Sequence, residues 1–306
     1  MNVLSLFDGM SCGQIALERA GVKVDNYFAS EIDKYAIQVA KDNYPDTIHL
    51  GNVEEWEKWD LPNIDMLIGG SPCQGFSNCG EGLNFSDSRS ELFFHYIEIL
   101  KKYKPKYFLL ENVKMKAEWR DIITKYIGIR PVLINSAMFS AQNRERYYWT
   151  NIPIDVIIDK NIKLVDIIEN GMVDRDKSYC IDANYYKGRN LDQYLNKSRR
   201  QLVFNEATKK GFVEIPQMCG VDLACIKSKT RRGRKMQHKS NCLQTSNQFH
   251  WYDGLKLRKL TPIECERLQT VPDNYTASVS NTQRYKMLGN GWTVDVIAHI
   301  FKGIDY

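Results

Sequence analysis

VLSLFDGMSCGQIALERAG, residues 3–21, begins as a short apolar run, turns at Gly9 and continues as the amphipathic GQIALERAG. That reads as strand, turn, helix, the opening of a βαβ unit. The alternation is repeated by VDNYFAS, DKYAIQVAKDNY, TIHL and IDMLIGG. SELFFHYIEILKKYK then predicts a helix with Leu92, Phe93, Tyr96, Ile97 and Leu100 on its apolar face, and KYFLLEN predicts a strand. A further helix is expected around Trp119 to Tyr126, and PVLINSAMF and ERYYWTNI read as a late pair of strands. Short strands separated by helix-length segments predict an α/β fold, a doubly wound parallel sheet with helices on both faces.

The 306 residues are 43% hydrophobic and 26% charged, enough apolar material for one large domain and a smaller one. No apolar run is long enough to span a bilayer, and MNVLSLFDG enters a strand without a basic leader, so neither a membrane nor export is expected. None of the eight cysteines forms a C-x-x-C pair. Reduced thiols and no metal are therefore expected. After about residue 155 the texture becomes polar, tyrosine-rich and weakly periodic until about Gly254. The expected division is 1–155, 156–255 as a smaller domain, and 256–306 returning to the first. Within the middle part, KSKTRRGRKMQHK carries seven basic residues and no acid, with Arg199 and Arg200 upstream. Phosphate contacts and a solvated loop account for it equally well. Near the end, TPIECERLQ carries a capping box from Thr261 to Glu264.

Candidate chemistry gathers where strands end. Gly9 and Gly13 lie in the first turn, the usual ligand position of a doubly wound sheet. Their spacing is not G-x-G-x-x-G, so a dinucleotide phosphate is not indicated. Glu31 in ASEID closes the second strand, where a carboxylate can accept from ribose hydroxyls; a helix N-terminal charge is the plainer reading. Together they point to an adenosine-containing ligand without a phosphate requirement. Cys73 in GGSPCQGFS follows the fourth strand in a turn-rich loop, a candidate nucleophile where a merely tolerated cysteine is the alternative. Glu111 in LLENV closes the fifth strand at the same sheet edge. Arg144 and Arg146 in QNRERYYW alternate along a strand and so share one face.

On these motifs the sequence resembles the DNA (cytosine-5)-methyltransferases. FDGMSCG looks like their cofactor loop, ASEID their ribose-binding acid, GGSPCQGFS their nucleophile loop, LLENV their glutamate motif and QNRER their arginine motif, in the same order. DSRSELFF, RKLTPIECERLQTVPDNY and MLGNGWTVDVI also resemble family motifs. The layout looks bacterial or phage-like, with SLFDG and the GxxW-V form similar to eukaryotic de novo enzymes. The resemblance implies a Rossmann-like S-adenosylmethionine-dependent methyltransferase sheet with a smaller target-recognition domain. S-adenosylmethionine is the implied methyl donor, S-adenosylhomocysteine the product, and a cytosine flipped out of double-stranded DNA the substrate.

Carried over position by position, the resemblance makes Cys73 the nucleophile toward C6, Glu111 the partner of N3 and the exocyclic amine, Arg146 the holder of O2 and Arg144 its support. Cofactor contacts are implied at Phe7, Asp8, Gly9, Met10, Ser11, Gly13, Glu31, Ile32, Asn52, Val53, Pro72, Leu92, Asn290, Gly291 and Trp292. DNA contacts are expected from Gln74, Ser77, Arg89, Arg231, Arg232 and Arg234. Asn52 stands where the family often has Asp, and Gly291 where a serine is common. RNA as substrate and a non-catalytic DNA-binding role are the alternatives; SPCQGFS lacks the doubled proline of the tRNA-methylating branch. A monomer is expected, acting in the cytoplasm of a bacterial or phage-infected cell, and a cognate restriction endonuclease as a separate protein is compatible with it.

Overall fold

The computed structural model describes residues 1–71, 88–187, 194, 197–203, 219–222, 234–236, 249–252 and 258–305. The first strand, β1 (Asn2–Leu6), sits mid-sheet, with Val3, Leu4 and Leu6 fully buried. Burial on both faces explains its near-continuous apolar run. It is followed by β2 (Asn26–Ser30), β3 (Ile48–Gly51), β4 (Met66–Gly69) and β5 (Tyr107–Val113), all parallel. The late pair are β6 (Val132–Asn135) and β7 (Glu145–Thr150), and the seven strands run in the order β3-β2-β1-β4-β5-β7-β6.

The all-parallel expectation fails at this edge, because β7 is antiparallel to both β5 and β6. Residues 136–144 are the whole link from β6 to β7, shorter than the roughly dozen residues that a parallel crossover needs. The reversal brings the beginning of β7 to the sheet edge where the parallel strands end, with Arg146 opposite Val113.

Connecting helices are α1 (Cys12–Ala20), α2 (Lys34–Asn43), α3 (Ser88–Tyr103) and α4 (Ala117–Ile127). Alternate strand residues feed two cores. Val3, Met66, Ile68 and Leu109 face Ile15, Ala16 and Leu17 of α1. Leu4, Leu6, Leu67 and Leu110 face Phe93, Tyr96 and Ile97 of α3. Gly13 lets α1 seat deeply, since a Cβ there would lie 2.6 Å from both Ile68 Cδ1 and Tyr27 Oη.

Beyond the sheet come a short α5 (Leu164–Ile167), β8 (Leu202–Val203), an antiparallel sheet of β9 (Cys219–Asp222), β10 (Arg234–Met236) and β11 (Phe249–Tyr252), and then β12 (Arg258–Lys259), which pairs with β8. The chain closes with α6 (Pro262–Leu268), α7 (Asn281–Asn290) and α8 (Val294–Phe301). Thr261 and Glu264 form the expected capping box on α6, with Pro262 in its first turn. Val296, Ile297, Ile300 and Phe301 of α8 join the core that holds α1. Packing does not pause at residue 155, because Leu164, Ile167, Ile181, Tyr185 and Val203 belong to that same core. Among the described residues no helix is long and apolar enough to cross a membrane.

Candidate active site

The strand order reverses direction between β1 and β4, and in such sheets ligands settle outside the carboxyl ends of the strands at that point. The β1 turn is unusually bent there. Phe7, Gly9 and Ser11 all take left-handed backbone angles, with φ of 58°, 59° and 61°. Gly9 is suited to this, whereas Phe7 and Ser11 each cost about 1–3 kcal/mol unless held. The holding group is Asp8: its N–H donates to Ser30 O, and its carboxylate accepts from Tyr27 Oη at 2.7 Å and from Ser11 Oγ. Tyr275 Oη adds a bond to Met10 O at 2.8 Å. Burial pushes the Asp8 pKa above the usual carboxylate value, against the bonds from Ser11, Ser5 and Tyr27, and the nearby Glu31 charge adds to the rise. Cys12 is buried beside this turn and its thiol is pushed up to about 12, which disqualifies it as a nucleophile.

Glu31 lies at the end of β2 and faces the turn. Its Oε2 accepts from Gly9 N, and its Oε1 accepts from Ile32 N and Asp33 N, all at 2.8 Å. A carboxylate has about four acceptor positions, so Oε2 keeps room for a hydroxyl. Beside it the Ile32 side chain is 73% exposed, an apolar surface at the rim. Asn52 caps the 3-10 turn Val53–Lys58, accepting from Glu54 N and donating to Glu54 Oε2. Val53 packs into the α3-side core and Leu92 lies partly buried against it. Gly13 is occupied in seating α1.

The second half of the edge is built around Glu111 at the end of β5. Arg146 Nε lies 3.0 Å from Glu111 Oε1, with the two side chains 14% and 11% exposed. Burial works against the Arg146 charge, but Glu111, Cys180 and Tyr148 together outweigh it and the guanidinium pKa is raised. Asn112, the next residue, turns the other way and donates to Ser71 O and Oγ, tying the β4 exit to β5. The two arginines expected on one face have separate tasks. Arg144, just ahead of β7 and 4% exposed, donates to Ile181 O, Gly289 O and Gly291 O, and to Cys180 Sγ. It braces the chain around the site, while Arg146 faces the acid.

Several participants were not singled out from the sequence. Gln142 accepts from Ile181 N and donates to Leu268 O and Gln269 Oε1, and Gln269 in turn donates to Leu288 O and Gly291 O. Thr293 Oγ1 donates to Gln269 Oε1 and accepts from Ser136 Oγ. This buried polar lattice fixes the loop from 289 to 293. The signal was present, since Gln142 opens the QNRER motif. Asn290 is exposed at the end of α7. Gly291 suits its place because a Cβ would press to 3.0 Å from Met10 Cε. Trp292 is attached to Glu111, with Nε1 donating to Oε2 at 3.2 Å.

Cys73, Pro72, Gln74, Ser77, Arg231 and Arg232 lie outside the described residues; Arg89 falls in α3 and Arg234 in β10. Among the described residues no three metal-ligating side chains converge.

A glycine turn after β1, an acid after β2 and an acid–arginine pair after β5, all at one edge of this sheet, define an α/β enzyme of the S-adenosylmethionine-dependent methyltransferase class. Residues 1–305 match the model of the C-5 cytosine-specific DNA methylases, and the chain belongs to that family. It is 30% identical to the orphan methyltransferase M.SPRI of Bacillus phage SPR, over 99% of this chain and 97% of the relative. It is 31% identical to the Type II methyltransferase M.NlaX of Neisseria lactamica, over 97% and 94%. In fold it resembles the crystal structure of the S. pombe Dnmt2 methyltransferase, with a TM-score of 0.62 at 16% identity over 99% of this chain and 97% of that one.

The methyl donor is S-adenosylmethionine, and the residues present fit it. Glu31 places an acid beside the β1 turn, where the open position on its Oε2 suits a hydroxyl and disfavours a phosphate. A Cβ at Gly9 would meet nothing within 4 Å, so the turn offers open space.

Proposed function

We propose that this enzyme methylates C5 of cytosine in duplex DNA, with Cys73 as nucleophile, Glu111 as the acid at N3, Arg146 as the holder of O2 and Arg144 as the brace. The observation that carries this reading is Glu111, held by Arg146 and Trp292 at the carboxyl edge yet with acceptor positions left over. Cys73 stands three residues after Gly70, and a Cβ at Gly70 would lie 3.0 Å from Glu111 Oε2.

C5 of cytosine is a weak nucleophile and needs help from the ring. Thiolate addition at C6 converts C5 into an enamine carbon, and a proton delivered by Glu111 to N3 takes up the charge that builds in the ring. Arg146, a planar donor, suits the O2 carbonyl. Bound S-adenosylmethionine supplies an electrophilic methyl group. Loss of the C5 proton and expulsion of the thiolate return the ring to aromaticity and Cys73 to its starting state. On the protein side, Glu31 holds ribose hydroxyls, and Ile32 offers an apolar surface to the purine.

C6 is inaccessible while the base is stacked, so the cytosine must leave the duplex. Residues 156–255 are read as the target-recognition domain. Arg231, Arg232 and Arg234 would meet phosphates, and Gln74, Ser77 and Arg89 would contact DNA around the flipped base.

The test uses labelled S-adenosylmethionine and duplex DNA containing 5-fluorocytosine, whose C5 fluorine blocks the final elimination. A denaturation-resistant protein–DNA adduct is expected, and it should vanish in Cys73→Ala. An adduct with fluorinated RNA alone would move the substrate to RNA. No adduct with either would leave a binding protein.

A further inference from the structure

We infer that Trp292 is a positioning residue for the acid: its indole N–H holds Glu111 Oε2 so that the carboxyl proton faces the base. The inference rests on the proposed role of Glu111 and goes beyond it, since residues 290–292 were expected to serve the cofactor.

Trp292 Nε1 donates to Oε2 at 3.2 Å while Arg146 Nε occupies Oε1 at 3.0 Å. Both groups are donors without acceptor capacity. Neither can receive a proton from Glu111, so when the acid is protonated its O–H must turn toward the remaining lone-pair directions, away from Trp292 and Arg146. One donor would fix one oxygen and leave the carboxyl plane free to swing. Two donors, arriving from β7 and from the α7–α8 loop, fix the plane itself.

Gly70 is independent support for a built arrangement. A Cβ there would lie 2.9 Å from Trp292 Nε1 and 3.0 Å from Glu111 Oε2, in the space that the pair occupies. Gly70 is not among the residues with positive φ, so the demand for glycine at this point is spatial.

The indole is also held from behind. Gly291 O accepts from Arg144 Nη2 at 2.9 Å and from Gln269 Nε2 at 3.2 Å, and Thr293 Oγ1 donates to Gln269 Oε1 at 2.9 Å. The backbone on either side of Trp292 is thereby pinned to buried polar groups. Its ring packs partly buried against the α1-side core. A tryptophan placed in this way loses little entropy on presenting its N–H, because its two χ angles are already set by packing.

The test compares the native chain with Trp292→Phe, which keeps an aromatic ring and removes the N–H, and with Gly70→Ala, which wedges the pair apart. Steady-state methylation of duplex DNA gives kcat and both KM values, and thermal unfolding checks the fold. Trp292→Phe should lower kcat about tenfold, with KM for S-adenosylmethionine changed by less than about twofold, the size of one hydrogen bond to a charged group. Gly70→Ala should do the same, and the double variant should be no worse than the poorer single one, since both break one contact.

Release of the C5 hydrogen of cytosine to water, measured without methyl donor, should slow in parallel. A native kcat in Trp292→Phe, or a loss confined to the KM for S-adenosylmethionine, would overturn the inference. Should Trp292→Phe not fold, Gly70→Ala decides by the same criterion. Glu111→Gln separates the two levels: if it retains full activity, both the proposed role of Glu111 and this inference fall. If it is inactive while Trp292→Phe and Gly70→Ala are native-like, this inference falls alone.

Discussion

Glu264 and Glu266 in α6 are 0% exposed, and each accepts four hydrogen bonds; Glu111 is 11% exposed, accepts from Trp292 and forms an ion pair with Arg146. Around Glu264 the donors are Thr261 N, Glu169 N and both terminal nitrogens of Arg258. Around Glu266 they are Asn274 N, Thr276 N, Thr276 Oγ1 and Arg284 Nη2. A carboxylate offers about four acceptor positions, so these two are filled and Glu111 is about half filled. Filled acids hold the chain together and have nothing left for a ligand. The half-filled one sits near the end of β5, with acceptor capacity left over.

The contrast can be broken from either side. Arg284→Met leaves the Glu266 charge buried with a donor missing, and should cost about 3–5 kcal/mol of stability, read by denaturant unfolding. Activity per folded molecule should stay near native. Glu111→Gln should differ in activity: kcat per folded molecule falls by about 10²–10³, beside a stability loss of about 1–3 kcal/mol because the amide leaves the Arg146 charge largely buried without its partner. If Glu111→Gln proved chiefly destabilising, the distinction between holding and acting acids would fail.

Glu31 should fall between these extremes. All three of its described bonds come from N–H donors, so the amide of Glu31→Gln would turn an N–H toward another N–H. The KM for S-adenosylmethionine should rise about tenfold with kcat near native at saturation, the signature of lost ground-state binding. The smallest effect is expected at Asp8. Its folded pKa is raised, so the stability tied to its neutral form is fully present below the unfolded pKa and is lost as pH rises through the folded one. The melting temperature of Asp8→Asn should therefore gain on the native chain as pH is raised from acid to neutral. A constant difference across that range would remove Asp8 from the explanation.

Much of the sheet could be read from the chain because its signals are local. The run of Val3, Leu4 and Leu6, the turn at Gly9 and the capping residues Thr261 and Glu264 each declare an element within a few positions. Orientation is not local, and the antiparallel β7 was hidden because period-two alternation is the same in either direction. Partners are not local either. Arg144 and Arg146 could be picked out, but their division of labour depends on carbonyls at 181, 289 and 291. Trp292 reads as a cofactor residue by resemblance of MLGNGWTVDVI to the family's terminal motif, and its bond to an acid 181 positions away is invisible in the chain. Val53 is buried in the core because its side chain is apolar and its backbone enters a tight turn, a packing that depends on distant partners. Across 156–203 the polar texture masked a few widely spaced apolar residues that are buried.

The pairing of β8 with β12 sets Leu202 opposite Lys259 and Val203 opposite Arg258. The excursion from 204 to 257 therefore departs and returns on neighbouring strands, about 5 Å apart. The excursion is tied at its two ends by the pairing of these short strands. Its length and composition can change by insertion, deletion or wholesale exchange without altering the gap its ends must bridge, and closing a longer loop costs little more than closing a shorter one. The pairing of these two short strands thus fixes where the excursion starts and stops, and leaves its length to vary.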